Sequence, residues 1–237
     1  MGSSSSQLKS ELEQYKTLYW TSSMELNEVK RNLQQRDALL QEQTSMLEGY
    51  RRAYEISKGW LTPYQITYRH PTDEEFGAVL KLVKRLFPDF EYDAPKFRRW
   101  LCDDSSYVVT SDNQLIGCIL VGMIDYTELS WHYSTYQTFA DTYQVSLTGV
   151  KSIFSFGVLP EFRHQGIAQH LIELVLQDDP KLILETETTN LSAHKLYEKY
   201  GFRKIGILPH FYEYSGGDDG YLMAHGYHEP EQKSESV

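Results

Sequence analysis

The chain has 237 residues, 41% of them hydrophobic, which is enough for one large domain, or a medium domain with an extension, around a packed core. A net charge of −10 argues against a general binder of nucleic acid or of anionic membranes, since those partners reward lysine and arginine gathered on one face. No run approaches the ~18 apolar residues of a membrane span, and the N-terminus lacks the basic-then-apolar order of a secretory leader.

Residues 1–6 read as the scar of a tag. From there to about residue 58 apolar or bulky residues recur every seven positions: Leu12, Tyr19, Leu26, Leu33, Leu40, Leu47 and Tyr54, with Leu8, Tyr15, Val29 and Tyr50 in the interleaved series. This heptad stripe predicts a long helix, rich in Glu, Gln, Lys, Arg and Leu and free of proline. Ser22, Arg36 and Gln43 interrupt the second series. Three arrangements follow from it: pairing with a second copy, docking on an auxiliary protein, or a hairpin folded near Thr21–Ser23.

From Ile66 strands and helices alternate, which predicts an α/β or α+β domain over residues 59–228, a mixed central sheet flanked by helices. "YQITYRH" reads as a strand. "TDEEFGAVLKLVKRLFP" reads as a helix, opened by Thr72 and Glu75 as a capping box and ended at Pro88. "APKFRRWLC" is a second short helix, and two strands follow around a Ser-Asp-Asn turn. Cys102 and Cys118 fall at a helix end and in an apolar strand, so they read as buried free thiols in a reducing, cytoplasmic compartment. Residues 126–148 lose their period and read as a long Tyr-, Ser- and Thr-rich loop, either a lid over an acceptor or a partly buried meander. Then come a strand ("VKSIFSFGVLP"), a helix ("HQGIAQHLIELVLQ"), a strand ("KLILETE"), a helix stopped at Gly201 ("NLSAHKLYEKYGF") and a closing strand ("YLMAHGY"). Residues 229–237 read as a disordered acidic tail.

One stretch departs from ordinary helix chemistry. Side-chain oxygens usually satisfy the orphan N–H groups of a first turn, but Arg163-His164-Gln165-Gly166-Ile167-Ala168 brings a glycine and an alanine there instead. Backbone donors and the positive helix end are left facing one spot, which suits a phosphate. The chain has no G-x-x-x-x-G-K-[ST], and no G-x-G-x-x-G after a strand.

The hexapeptide resembles the R/Q-x-x-G-x-G/A pyrophosphate loop of the Gcn5-related N-acetyltransferases. "SFGVLPEFR" is similar to that superfamily's central strand, which splays from its neighbour to pair with a pantetheine arm. "NLSAHKLYEKYGF" is similar to its N-x-x-A-x-x-[LF]-Y-x-x-x-G-F signature. Three motifs in order identify residues 66–227 as a member, and "LETETTNLSAHKLYEKYGF" most resembles catalytic subunits of protein N-terminal acetyltransferases of the C-type. The resemblance implies acetyl-CoA as co-substrate, no metal, and protein N-termini beginning with Met and an apolar residue as acceptors. It also implies a cofactor surface of Phe156, Val158, Arg163, His164, Gln165, Gly166, Ile167, Ala168, Asn190 and Tyr197, with the Val158 N–H as oxyanion donor. "HFYEY", with Phe211, Tyr212 and Tyr214, is similar to the family's aromatic substrate loop.

Acetyl transfer to an amine needs a base, an oxyanion donor and a proton for the leaving thiolate. Alternation along a strand puts Glu185 and Glu187 on one face, and both are candidate bases; the resemblance favours Glu187. Tyr197, protonated at neutral pH, is by resemblance the general acid, and Asn190 seven residues earlier shares its helix face. His164, His170 and His194 lack metal-ligand spacing and read as surface residues. Acceptors other than a protein N-terminus, namely a lysine or a small amine, remain open, as does a coiled-coil protein whose domain binds coenzyme A without turnover.

Overall fold

The computed structural model describes residues 3–58, 65–88, 93–124, 133–212 and 219–229. The chain divides into two compact units, Met1–Tyr54 and Glu55–Val237. The first is almost entirely the unbroken helix α1 (Ser3–Ser57), 55 residues and so about 80 Å long, which runs through Thr21–Ser23 without a hairpin. On it Leu26, Leu33, Leu40, Leu47 and Tyr54, with Val29 and Tyr50, are each more than half exposed.

The second unit is built on one sheet. Its strands are β1 (Ile66–Arg69), β2 (Tyr107–Ser111), β3 (Gln114–Met123), β4 (Lys151–Val158), β5 (Leu182–Glu187), β6 (Arg203–Leu208) and β7 (Gly220–His225), in the order β1-β2-β3-β4-β5-β7-β6. Every neighbouring pair is antiparallel except β4 and β5, which are joined by a crossover helix. Asp112 and Asn113 turn the β2–β3 hairpin at φ 48° and 68°, the left-handed pair that a two-residue turn needs.

Among the described residues five further helices cover the sheet: α2 (Phe76–Leu86), α3 (Ala94–Leu101), α4 (Tyr133–Tyr143), α5 (Ile167–Asp178) and α6 (Leu191–Lys199). In α5 the buried residues Ile167, Leu171, Ile172 and Val175 repeat at helical spacing, so burial of one stripe carries the helix. β5 alternates between two cores. Leu182 and Leu184 join α2, α3, α5 and Tyr197 of α6, whereas Ile183 joins Tyr136 and Phe139 of α4 with Leu208, Leu222, Ala224 and Tyr227. Side chains alternate faces along a strand, so at β5 α4 lies on the face opposite Leu182 and Leu184.

Three expectations need correction. Residues 126–148 are not one long loop. Tyr133–Tyr143 is α4, with Tyr136, Phe139 and Ala140 buried and Tyr143 half-buried in an i, i+3, i+4, i+7 stripe. Its Ser, Thr and Tyr are middling helix formers, and tertiary burial supplies what propensity does not. Cys102 is exposed at the end of α3, while Cys118 is buried in β3, where burial pushes its thiol up to about 12. His194 is buried, and its pKa is lowered by that burial. Among the described residues no helix is long and apolar enough to cross a membrane.

Candidate active site

The site begins as a gap in the sheet. β4 pairs with β3 along its whole length, to Gly117↔Val158, but with β5 only at Lys151↔Leu182, Ser152↔Ile183 and Ile153↔Leu184. The divergence starts at a bulge: β3 residues Leu120 and Val121 face Ser155 and Ile153, so Phe154 is the extra residue, and a bulged strand bends. The Phe154 ring stacks on Trp100 of α3, centroids 4.1 Å apart. Gly122 makes the room, since a Cβ there would lie 2.5 Å from Trp100 Cδ1.

Past the bulge the direction of the free backbone groups follows from the ladder. The Leu159 N–H donates to the Ile116 carbonyl at 2.8 Å. Bonding alternates along an antiparallel pair, so Gly157 also bonds toward β3, while Phe156 and Val158 turn their N–H and C=O groups the other way, toward the diverged β5.

β4 runs into the Arg163–Ala168 turn. Arg163 Nε donates to the Val158 carbonyl at 2.9 Å, tying the turn to the strand end. His164 and Gly166 are both left-handed, at φ 59° and 83°, and Gly166, as the N-cap of α5, gives its first N–H groups no side-chain hydrogen bond. A Cβ on Gly166 would meet nothing within 4 Å. Uncapped donors, the positive helix end and open space fit a diphosphate. His164, Gln165 and Gly166 are exposed, Ala168 is half-buried, and the Ile167 side chain is buried under the helix, so the last two lend only backbone.

The two carboxylates share a strand face but not an environment. Glu185 Oε1 accepts a 2.6 Å hydrogen bond from the hydroxyl of Tyr136 on α4, and Oε2 lies 3.3 Å from Ser152 Oγ. Burial raises its pKa, and those two hydrogen bonds only partly oppose the rise. Among the described residues no side chain bonds the carboxylate of Glu187, which is half-buried at the strand end. Tyr197 is 8% exposed, its ring 6.1 Å from Phe156, and its pKa is pushed up first by burial and then by the charge of Glu185.

Asn190 opens α6 as its N-cap, its side-chain oxygen accepting from the Ala193 N–H at 3.2 Å. It therefore sits before the helix, not on a shared face two turns from Tyr197. His194 Nε2 lies 2.9 Å from the Glu187 carbonyl and braces the end of β5.

Beyond β6 the rings of Phe211 and Tyr212 meet edge to face, 5.1 Å apart, over Gly220, where a Cβ would come within 3.2 Å of Phe211. Gly220 stands opposite Glu187 in the β5–β7 register, so the aromatic pair borders that carboxylate. The turn is held by the His210 N–H, which donates to Asp219 Oδ1 at 2.8 Å. Tyr214 lies outside the described residues. Among the described residues no three His, Cys, Asp or Glu side chains gather as a metal site. Two contributors escape the motif reading altogether: Tyr136 and Ser152. The helical spacing of Tyr133, Tyr136, Ala140 and Tyr143 was the available signal for the first.

A strand forced from its neighbour, followed by a helix start without a side-chain cap, leaves backbone donors and open space that fit an acylated diphosphate carrier. Residues 74–202 match the acetyltransferase (GNAT) family, and the chain belongs to it. It is an acetyl-CoA-dependent N-acetyltransferase. It is 30% identical over 166 residues to an N-alpha-acetyltransferase of Saccharolobus solfataricus, covering 67% of this chain and 91% of that one. It is 32% identical over 174 residues to the N-alpha-acetyltransferase 60 of Xenopus tropicalis, covering 66% and 69%. The fold is similar to that of Arabidopsis thaliana NAA60 in complex with a bisubstrate analogue, with a TM-score of 0.53, 21% identity, and 68% and 97% of the two chains covered.

Proposed function

We propose that the protein acetylates the N-terminal α-amine of proteins, with a preference for Met followed by an apolar residue. The observation that carries the chemistry is the gap between β4 and β5, with the Tyr197 ring 6.1 Å from that of Phe156 on the diverging strand. In this reading the diphosphate of acetyl-CoA rests on the N–H groups of Gly166, Ile167 and Ala168, beside Arg163, His164 and Gln165. The pantetheine arm pairs with the free N–H and C=O of Phe156, near Asn190. The thioester carbonyl then receives the Val158 N–H as its charge develops.

The amine must lose a proton to attack. Glu185 is the better base of the two: burial raises its pKa toward neutrality, which improves its match to an α-amine near 8. Attack forms the amide nitrogen–carbon bond, the carbon–sulfur bond breaks, and Tyr197 gives its proton to the departing thiolate. Glu187 stands at the entrance beside Phe211 and Tyr212, where an apolar wall favours a Met-apolar start.

Outside this domain, the exposed stripe of α1 supports association with a second copy or an auxiliary subunit, and the free thiols Cys102 and Cys118 suit the cytoplasm. Incubation with acetyl-CoA and peptides starting Met-Leu, Met-Ile, Ser or Ala, read by mass and by Edman blockage, tests the reading. Met-Leu and Met-Ile should be acetylated fastest, at the α-amine; faster modification of an internal lysine would overturn it.

A further inference from the structure

The α4 helix reaches into the site from a segment outside the three motifs. Thr135 Oγ1 donates to the Ile207 carbonyl of β6 at 3.3 Å, and the next residue, Tyr136, is fully buried with its hydroxyl on Glu185. On the other side of the carboxylate, Ser152 Oγ has one proton and two acceptors: the Ile183 carbonyl at 3.2 Å and Glu185 Oε2 at 3.3 Å.

We propose that Tyr136 is a positioning residue for Glu185, holding Oε1 by its 2.6 Å hydrogen bond so that Oε2 is the oxygen that takes the proton of the acceptor amine. The inference rests on the reading of Glu185 as the base. Ser152 completes the device. While Glu185 is ionised, the serine proton is directed to Oε2. When Oε2 gains the amine proton, the serine hydroxyl turns to the Ile183 carbonyl and accepts the new O–H, so neither state leaves a buried group unpaired. Tyr136 donates to Oε1 throughout.

Among the described residues, α4 brings Tyr136 to Glu185, β4 brings Ser152, α6 brings the neutral phenol Tyr197, whose own pKa the Glu185 charge helps to raise, and β7 sets the uncharged Leu222 opposite it. A donor to an ionised carboxylate favours the ionised form, so removing one raises the pKa, and the rising acid limb of the rate moves to higher pH.

The test is kcat against pH for the full chain with saturating acetyl-CoA and a Met-Leu peptide, beside the Kd for acetyl-CoA and a melting curve. Tyr136→Phe should move the acid limb up by about one pH unit while the acetyl-CoA Kd stays the same. Ser152→Ala should move it the same way by less, and decides the matter if Tyr136→Phe does not fold. Glu185→Gln separates the two levels. If it retains the wild-type rate, Glu185 is not the base and the underlying reading falls. If it is inactive while Tyr136→Phe merely lowers kcat evenly across pH, or changes nothing, the base stands and the positioning role is overturned.

Discussion

The helices α5 and α6 follow one another in chain order and both border the candidate site, yet they begin in opposite ways. α6 is closed: Asn190 caps it with its own side chain. α5 is open: Gly166, at φ 83°, offers no side chain, and its first donors have no cap from within. The difference follows from what each helix is proposed to contribute. α6 lends a side chain, Tyr197, two turns into its length, and needs only to be a stable rod. α5 lends its first turn of backbone, and any cap there would occupy the place of the phosphates. A helix can spend its positive end on its own stability or on a ligand, but not on both.

Substitutions at these two starts can break the comparison. The largest effect is expected from Gly166→Glu, which brings a carboxylate into the open volume and repels the diphosphate. Acetyl-CoA affinity by calorimetry should fall by more than about 100-fold. Unchanged affinity would remove α5 from the site. Tyr197→Phe keeps the ring and deletes only the donor, so kcat should fall by about 100-fold with acetyl-CoA affinity nearly kept. An equal loss in affinity would mean that α6 serves binding, as α5 does. Gly166→Ala meets no neighbouring atom, and should weaken acetyl-CoA about tenfold while the left-handed φ costs about 1 kcal/mol of stability. The smallest effect is on the closed helix: Asn190→Ala should cost about 1 kcal/mol, a few degrees in melting temperature, with affinity unaltered. The reverse outcome, affinity lost and stability kept, would make Asn190 a cofactor contact as the family resemblance implies.

The open start was legible in the sequence because its signal is local: Gly166 and Ala168 stand where a cap residue belongs. So were the strands with clear alternation or apolar runs, and the hairpin at Asp112 and Asn113. β6 was not, because "RKIGIL" carries an interior glycine and follows the Gly201 stop so closely that nothing local sets it apart as an element. Its strand character comes from pairing with β7. α4 was hidden for a related reason, since its buried stripe is aromatic and the helix has little intrinsic propensity. The choice between Glu185 and Glu187 is the deepest case. Strand alternation put both on one face, but only the arrival of Tyr136 and Ser152 from distant segments makes their environments differ, and no local pattern encodes that.

The one-sided half of β4 makes the sheet a structure that a small molecule would finish. A pantetheine arm laid along Phe156 and Val158 would act as a short borrowed strand, and slower hydrogen exchange at those two amides would report it. Folding and cofactor supply would then be linked, because a ligand held at 100 times its Kd adds about 2.7 kcal/mol to the stability of the native state. In a cell whose acetyl-CoA pool shrinks, the chain would lose part of its fold stability along with its substrate, so the lifetime of the enzyme itself would follow the metabolic state that its reaction consumes.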